Sequence, residues 1–260
     1  MTSIPYLVTR LTRAAAYFHI NLRPVERFLG YLFDLKGGFF VTEGLRFEIP
    51  KQFTSSASRG RFMVGAHEWN ERRLITRYLS SDAHVLELGG GLGVVSCVIN
   101  RRLADPARHV VLDADPRAVT ALTQNRNLNG ARFSIVHGVI SAREQETVYL
   151  APTIGGSSLC RRQGRKTVKV PGYSIEELER QHDLSFDCFI VDIEGSELRW
   201  AEENKDALRQ VQLLVLEVHP TKLSEAELVR LRNLLRECGL FLIDELYEVE
   251  VWRRQPLISA

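Results

Sequence analysis

Glu87-Leu-Gly89-Gly-Gly91-Leu-Gly93 places a carboxylate two residues ahead of three glycines at alternate positions. Glycine lets a backbone turn sharply and approach a ligand where a Cβ would collide. A dinucleotide fingerprint would need a further glycine where Val94 stands or, in the shifted frame, where Ser96 stands. The Gly-Lys-Ser/Thr ending of a P-loop is also missing. Glu87 would repel a pyrophosphate, but it would attract the ammonium of an amino-acid moiety. Asp113, 26 residues further on, ends the next apolar run. A carboxylate there can accept both hydroxyls of an adenosine ribose. Acid, glycine loop and second acid together fit S-adenosylmethionine better than NAD.

A second group of acids follows the buried-type run Phe186–Val191: Asp192, Glu194 and Glu197 fall within about one turn. Glu217 and His219 close the next such run. Histidine has an unperturbed pKa near neutrality, so Asp192 and His219 are the candidate catalytic groups, able to take a proton from an acceptor. Asp192 could instead hold the cofactor's amino group, or a metal beside Glu217. The spacing selects no metal ligand set.

These residues need a frame that brings them together, and the pattern from Glu68 onward supplies one. Strand-like runs at His84–Leu88, His109–Asp113, Phe133–Val136, Phe186–Asp192 and Leu213–Val218 alternate with helix-like segments. Asp115-Pro116 starts a helix by capping and by a tolerated proline, and Ser174–Glu177 and Ser224–Glu227 read as capping boxes. Val148–Leu150 and Val168–Val170 flank a Gly/Ser-rich loop. Leu240–Ile243 and Val249–Trp252 suit a closing antiparallel pair. This alternation predicts an α/β fold of Rossmann-like type, a mostly parallel sheet with helices on both faces. Ligands in such sheets bind at the carboxyl ends of the strands, which sets Glu87, Asp113, His137, Asp192 and Glu217 on one rim.

Residues 1–44 are expected to form a helical extension: Val8–Leu35 has two amphipathic stretches divided at Pro24, and Gly37-Gly38 ends them. Residues 45–260 form the main domain, where Leu45, Phe47 and Ile49 alternate as in an edge strand. A formal charge of +2 gives no whole-molecule field for capturing nucleic acid. The longest stretches without a charged residue, Leu88–Asn100 and Thr147–Cys160, hold 13 and 14 residues, short of the roughly 20 a membrane-spanning helix needs. Cys97, Cys160, Cys188 and Cys238 are far apart, which suits free thiols in a reducing cytoplasm. Arg161, Arg162, Arg165, Lys166 and Lys169 make the densest basic stretch, either a solvated hairpin or a contact for an acidic acceptor.

From about Leu45 to Trp252 the chain resembles the FkbM family of methyltransferases. Gly65-Ala-His-Glu68 matches the family's glutamate ahead of the loop, and Glu87–Gly93 its Asp-x-Gly-Ala-Asn-x-Gly. Leu112-Asp113-Ala-Asp-Pro116 matches Phe-Glu-Pro-Asn-Pro. Ile190-Val-Asp192-Ile-Glu194-Gly195-Ser-Glu197 is similar to Ile-Asp-Val-Glu-Gly-Ala-Glu, and Leu216-Glu217-Val-His219-Pro220 to a Glu-x-His segment. The chain departs at Glu87 for Asp, Gly90-Gly91 for Ala-Asn, Ala114 for Pro, and Ala142 for an acid. The resemblance implies a class I methyltransferase domain with a seven-stranded sheet, using S-adenosyl-L-methionine. Its implied cofactor contacts are Glu68, Glu87, Gly89, Gly91, Gly93, Asp113, Ala114, Val139 and Asp192. It further implies O-methylation of a hydroxyl on a sugar, glycan or secondary metabolite. An RNA or protein methyltransferase, or a non-catalytic binding protein that keeps the fold, remain the alternatives.

Overall fold

The computed structural model describes residues 22–160 and 163–255. The first amphipathic stretch of the expected extension, together with Arg161 and Arg162, lies outside them. Helix α1 (Arg23–Leu35) takes Pro24 in its first turn, where a missing N–H costs nothing. Strands β1 (Phe39–Thr42) and β2 (Leu45–Glu48) pair as an antiparallel hairpin. Glu43 and Gly44 at its turn both have positive φ, as the tightest hairpin turns require. Helices α2 (Ser56–Met63) and α3 (Trp69–Tyr78) complete this part. The contact of α1 with α2 is made possible by glycine: a Cβ on Gly30 would lie 1.9 Å from the Ser56 carbonyl oxygen, and one on Gly60 2.1 Å from that of Glu26.

Strand–helix alternation then runs through β3 (Val85–Leu88), α4 (Val94–Arg102), β4 (His109–Asp113), α5 (Pro116–Leu128) and β5 (Ser134–His137). Strands β6 (Val139–Ile140), β7 (Gln145–Tyr149) and β8 (Thr167–Tyr173) make a small three-stranded sheet, with Val148 opposite Val168. Next come α6 (Ile175–His182), β9 (Cys188–Val191), α7 (Glu197–Glu203), α8 (Lys205–Leu208) and β10 (Leu213–Glu217). Helix α9 (Glu225–Glu237) and strands β11 (Leu240–Leu246) and β12 (Val249–Arg254) follow. The caps at Asp115 and Ser224 behave as the sequence predicts, and the Ser174 cap shows one half of the expected capping box. Asp115 accepts from Arg117 N–H, Ser174 from Glu177 N–H, and Ser224 with Glu227 forms a complete capping box.

The main sheet has seven strands in the order β11-β12-β10-β9-β3-β4-β5. Strand β12 alone runs opposite to the other six. Every residue of β3 and β9 is buried, which is why both read as unbroken apolar runs and not as alternating ones. The fold is Rossmann-like α/β. Connections run outward from β3 to β5, then return to β9 on the other side of β3. The crevice at that reversal, between the carboxyl ends of β3 and β9, is where such sheets bind ligands.

The expected boundary after residue 44 falls in the β1–β2 turn. Phe33 and Phe40 ahead of it share one hydrophobic cluster with Phe47, Val94, Leu122 and Phe133 behind it. Phe28, by contrast, is exposed.

Candidate functional site

A cleft of about 970 Å³, counted to its open mouth, lies over the carboxyl ends of β3, β4 and β9. Gly89, Gly91, Asp113, Ala114, Val139, Asp192 and Glu68 all line it, so seven of the nine expected cofactor contacts share one wall. The backbones at the reversal point nearly touch: a Cβ on Gly89 would come within 1.9 Å of the Asp192 carbonyl oxygen. Gly91 has φ +53°, and a Cβ on it would lie 4.0 Å from Glu68 Oε1, an ordinary contact distance. A side chain there would enter the cleft.

Asp113 is tied down by its own loop. Its Oδ2 accepts from Gly91 N–H at 2.8 Å and its Oδ1 from Asp115 N–H at 2.8 Å. Burial pushes its carboxyl up to about 7, against the pull of those two amides. Each oxygen keeps a lone pair for a hydroxyl. Val139, Ile140, Val148, Leu112 and Ala118 give the neighbouring stretch of the cleft an apolar lining. The Gly155–Leu159 stretch of the β7–β8 loop forms another part of the lining. It is pinned at both sides of the cleft, since Ser157 Oγ donates to Asp115 Oδ2 and Ser158 Oγ to the Glu194 carbonyl, each at 2.8 Å. Sequence reasoning left this loop without a role. Its serines were the available signal.

Glu87 and Gly93 are not on the wall. Glu87 is 2% exposed. Its Oε1 accepts from Ser96 Oγ at 2.7 Å, and its Oε2 lies 2.9 Å from Nε2 of the fully buried His109. Both oxygens are committed beneath the glycine loop. Gly93, at φ +80°, starts α4, and a Cβ on it would come 2.8 Å from Leu122. Gly93 makes the turn into the helix.

Glu68 faces the cleft instead. It sits at φ +47°, in the left-handed region that non-glycine residues rarely adopt, and it pairs with His67 at 3.0 Å. Burial would raise its pKa, but the His67 and Arg72 charges outweigh this and hold it low. Arg72 fixes the local backbone by donating to the carbonyls of Gly65 and His67. Glu71 stands behind, raised to about 7 by burial and by the Glu68 charge. Neither Arg72 nor Glu71 was singled out from the sequence. Helix α3 carries both, and its polarity gave no strong periodic signal.

At the other end of the cleft stand Asp192, Glu194 and His219. Asp192 and Glu194 line the wall, and His219 lies just behind them. The His219 Nδ1 is 2.7 Å from Glu197 Oε1, while Nε2 faces Glu194 Oε2 at 3.4 Å and Asp192 Oδ1 at 3.5 Å. Burial opposes the charged imidazole, but Glu197 and Asp192 prevail and raise its pKa. Burial raises both Asp192 and Glu217, and the two share a side-chain hydrogen bond. The Asp192 charge beside it adds to the rise at Glu217. Lys222 pairs with Glu194. Glu194 has φ +56°, the second left-handed glutamate on this cleft. Such strain persists only where the surroundings impose it.

This fold and this cleft define a class I methyltransferase domain. The Methyltransferase FkbM domain family matches residues 80–241, and the chain belongs to that family. No curated protein matches the sequence. Solved structures similar to it include the precorrin-6y C5,15-methyltransferase from Geobacter metallireducens, 14% identical, covering 80% of this chain and 93% of that one with a TM-score of 0.46. The ribosomal protein L11 methylase from Lactobacillus delbrueckii is 13% identical, with 71% and 77% covered and a TM-score of 0.42. An O-methyltransferase from Bacillus cereus in complex with SAH is 11% identical, with 94% of each chain covered and a TM-score of 0.40. No residue role passes from these distant structures to this chain.

Proposed function

We propose that the protein transfers the methyl group of S-adenosylmethionine to a hydroxyl oxygen of a small molecule, sugar or glycan. The observation that carries this reading is the layout of one continuous cleft. Asp113 offers its carboxylate at one end, beside an apolar slot. The glycine turn leaves the middle open to a ligand. Glu68 and Asp192 put negative charge where an ammonium and a sulfonium would lie. Glu68, and not Glu87, is the ammonium partner in this reading.

The acceptor's oxygen enters at the Asp192–Glu194–His219 end. It attacks the methyl carbon in line as the carbon–sulfur bond breaks, and its proton passes to the acidic cluster or to water. Positioning supplies much of the acceleration in such a step, with proton transfer adding roughly 10²–10⁴-fold. His219 faces Asp192 and Glu194 and does not open on the cleft, so it acts through them and not as a free base. Among the described residues the cleft lining holds six acids, Glu68, Asp113, Asp115, Asp192, Glu194 and Glu203, against one base, Arg199, a balance that disfavours a polyanionic acceptor and weighs against RNA. No helix among the described residues is long and apolar enough to cross a membrane. Cys97, Cys188 and Cys238 are buried free thiols, and we place the protein in the cytoplasm.

Gly91→Asn tests the cofactor reading. Asparagine tolerates positive φ, so the loop should keep its shape while the side chain fills the cleft. Affinity for S-adenosylhomocysteine by calorimetry should fall at least tenfold, about 1.4 kcal/mol, with the melting temperature of the free protein little changed. Unchanged affinity in the folded variant would remove this cleft from consideration. Transfer of labelled methyl from S-adenosylmethionine into fractionated extract then identifies the acceptor.

A further inference from the structure

We propose that Asp192, Glu194 and His219 form a divalent-cation site at the transfer end of the cleft, and that the bound cation takes the acceptor's hydroxyl oxygen as a further ligand. The role in transfer rests on the methyltransferase reading; the binding of the cation does not.

The three side chains offer one donor atom each within 4.8 Å of one another. Cations with oxygen and nitrogen ligands at roughly 2.0–2.6 Å place their donors at such separations. The imidazole is aimed. Glu197 is wholly buried and accepts from Gly195 N–H at 2.8 Å. Its Oε1 also holds His219 Nδ1, which turns Nε2 toward the two carboxylates. A carboxylate behind the imidazole is the usual support of a metal-ligating histidine, because it fixes the tautomer and the ring orientation. The gaps from Nε2 to Asp192 and Glu194, 3.5 and 3.4 Å, exceed a good hydrogen bond. They leave the three atoms facing a common point.

A separate observation points to an absent ligand. Asp192 Oδ1 and Glu197 Oε2 are buried oxygens without a hydrogen-bond partner among the described residues. Buried carboxylate oxygens are ordinarily satisfied. One of these belongs to the cluster itself. The other belongs to the fully buried side chain (0% exposed) that holds His219. Lys222 is the rival for this space. It pairs with Glu194 Oε2.

With the cation in place, the ligated hydroxyl becomes more acidic and loses its proton to water. Its oxygen then forms the bond to the methyl carbon as the carbon–sulfur bond breaks. The sulfonium becomes the neutral thioether of S-adenosylhomocysteine, and charge and atoms balance. Asp192 then serves as a ligand and need not take the proton.

Titration of the chelator-stripped full chain with Mn²⁺, following the free-ion electron paramagnetic resonance signal, tests the site without any reaction. The expected result is one Mn²⁺ per chain, weakened at least about tenfold by Glu194→Gln and by His219→Gln, each variant checked for an unchanged thermal transition. Lys222→Met should tighten binding. The proposal falls if wild-type protein binds no Mn²⁺ up to about 1 mM, the weak end of protein cation sites. It also falls if only Lys222→Met binds, since Lys222 is then the native counter-charge, or if the ligand substitutions leave Mn²⁺ binding untouched. S-adenosylhomocysteine binding to metal-free wild-type protein is measured in parallel. Its presence alongside absent Mn²⁺ overturns the cation and keeps the methyltransferase reading.

Discussion

Asp113 shows how much a single side chain can be made to do by its setting. Its two oxygens already receive the amides of Gly91 and Asp115, so the carboxylate that would hold the ribose also shapes the glycine loop. Burial raises its pKa from 3.8 to about 7. Ionisation in the folded protein is thus delayed, and the group takes up protons as the pH falls through 7 instead of through 4. Only the ionised form accepts both ribose hydroxyls, so affinity for S-adenosylhomocysteine should rise as the pH increases through about 7 and then level off. At about pH 6.5 binding should release protons, visible as a dependence of calorimetric enthalpy on the buffer's ionisation enthalpy. Asp113→Asn should abolish that dependence; its survival in the variant would assign the proton to another group. The acid ending the second strand was legible in the sequence because it follows an apolar run at a regular interval. Which of the two glutamates, Glu68 or Glu87, lines the cleft was not. Glu87 and Glu68 differ in what lies beneath them, and the partners that claim Glu87, Ser96 and His109, are 9 and 22 residues away.

Among the elements, the buried parallel strands were the easiest to foresee, since burial on both faces leaves Val, Leu and Ile in unbroken runs. Strand β4 has the expected bounds, and the caps at Asp115 and Ser224 act as expected. Helix α2 escaped notice because its stability comes from specific contacts and not from an apolar stripe, and α3 because its buried apolar face is only Leu74 and Ile75. Arg59 in α2 binds Asp34 of α1 bidentately and the Thr54 carbonyl, and Arg72 in α3 binds backbone carbonyls. Glu87 joins three elements in the same way: it lies on β3, Ser96 on α4 and His109 on β4. Removing it would leave a buried hydroxyl and a buried imidazole without their acceptor. Glu87→Ala should therefore cost roughly 3–5 kcal/mol, lowering the melting temperature by about 10 °C. At low temperature the folded fraction should bind S-adenosylhomocysteine within about threefold of wild type, because both oxygens face away from the cleft. An unchanged melting temperature with affinity lost would return Glu87 to the ligand.

For the molecule as a whole, the sheet order creates the cleft, and the segment before the sheet closes around one side of the core. Composition and charge excluded a membrane-spanning helix and a strong whole-molecule field, but they could not say where the domain begins. The glycine pair Gly37-Gly38 resembles a linker in sequence. Here both residues have positive φ and lead directly into β1, so the chain turns back onto the core instead of leaving it. Ring centroids lie 6.0 Å apart for Phe33 and Phe62, 5.3 Å for the edge-on pair Phe40 and Phe62, and 6.1 Å for Phe40 and Phe47. Asn125 of α5 holds the same hairpin by donating to the Glu48 carbonyl and accepting its N–H. Arg72 of α3 donates to Thr42 and Glu43, which couples the hairpin to the segment presenting Glu68. We therefore propose that the folded unit includes α1 and β1, and that deleting residues 1–44 uncovers Phe47 and Phe62 and unpairs β2. Each large buried aromatic uncovered costs about 3 kcal/mol, and a loss of several such contacts consumes most of a domain's net stability. The truncated protein should aggregate, or should bind a hydrophobic dye and melt without a cooperative transition. A soluble truncation that melts cooperatively near the wild-type temperature and binds S-adenosylhomocysteine normally would make residues 1–44 a separate extension after all.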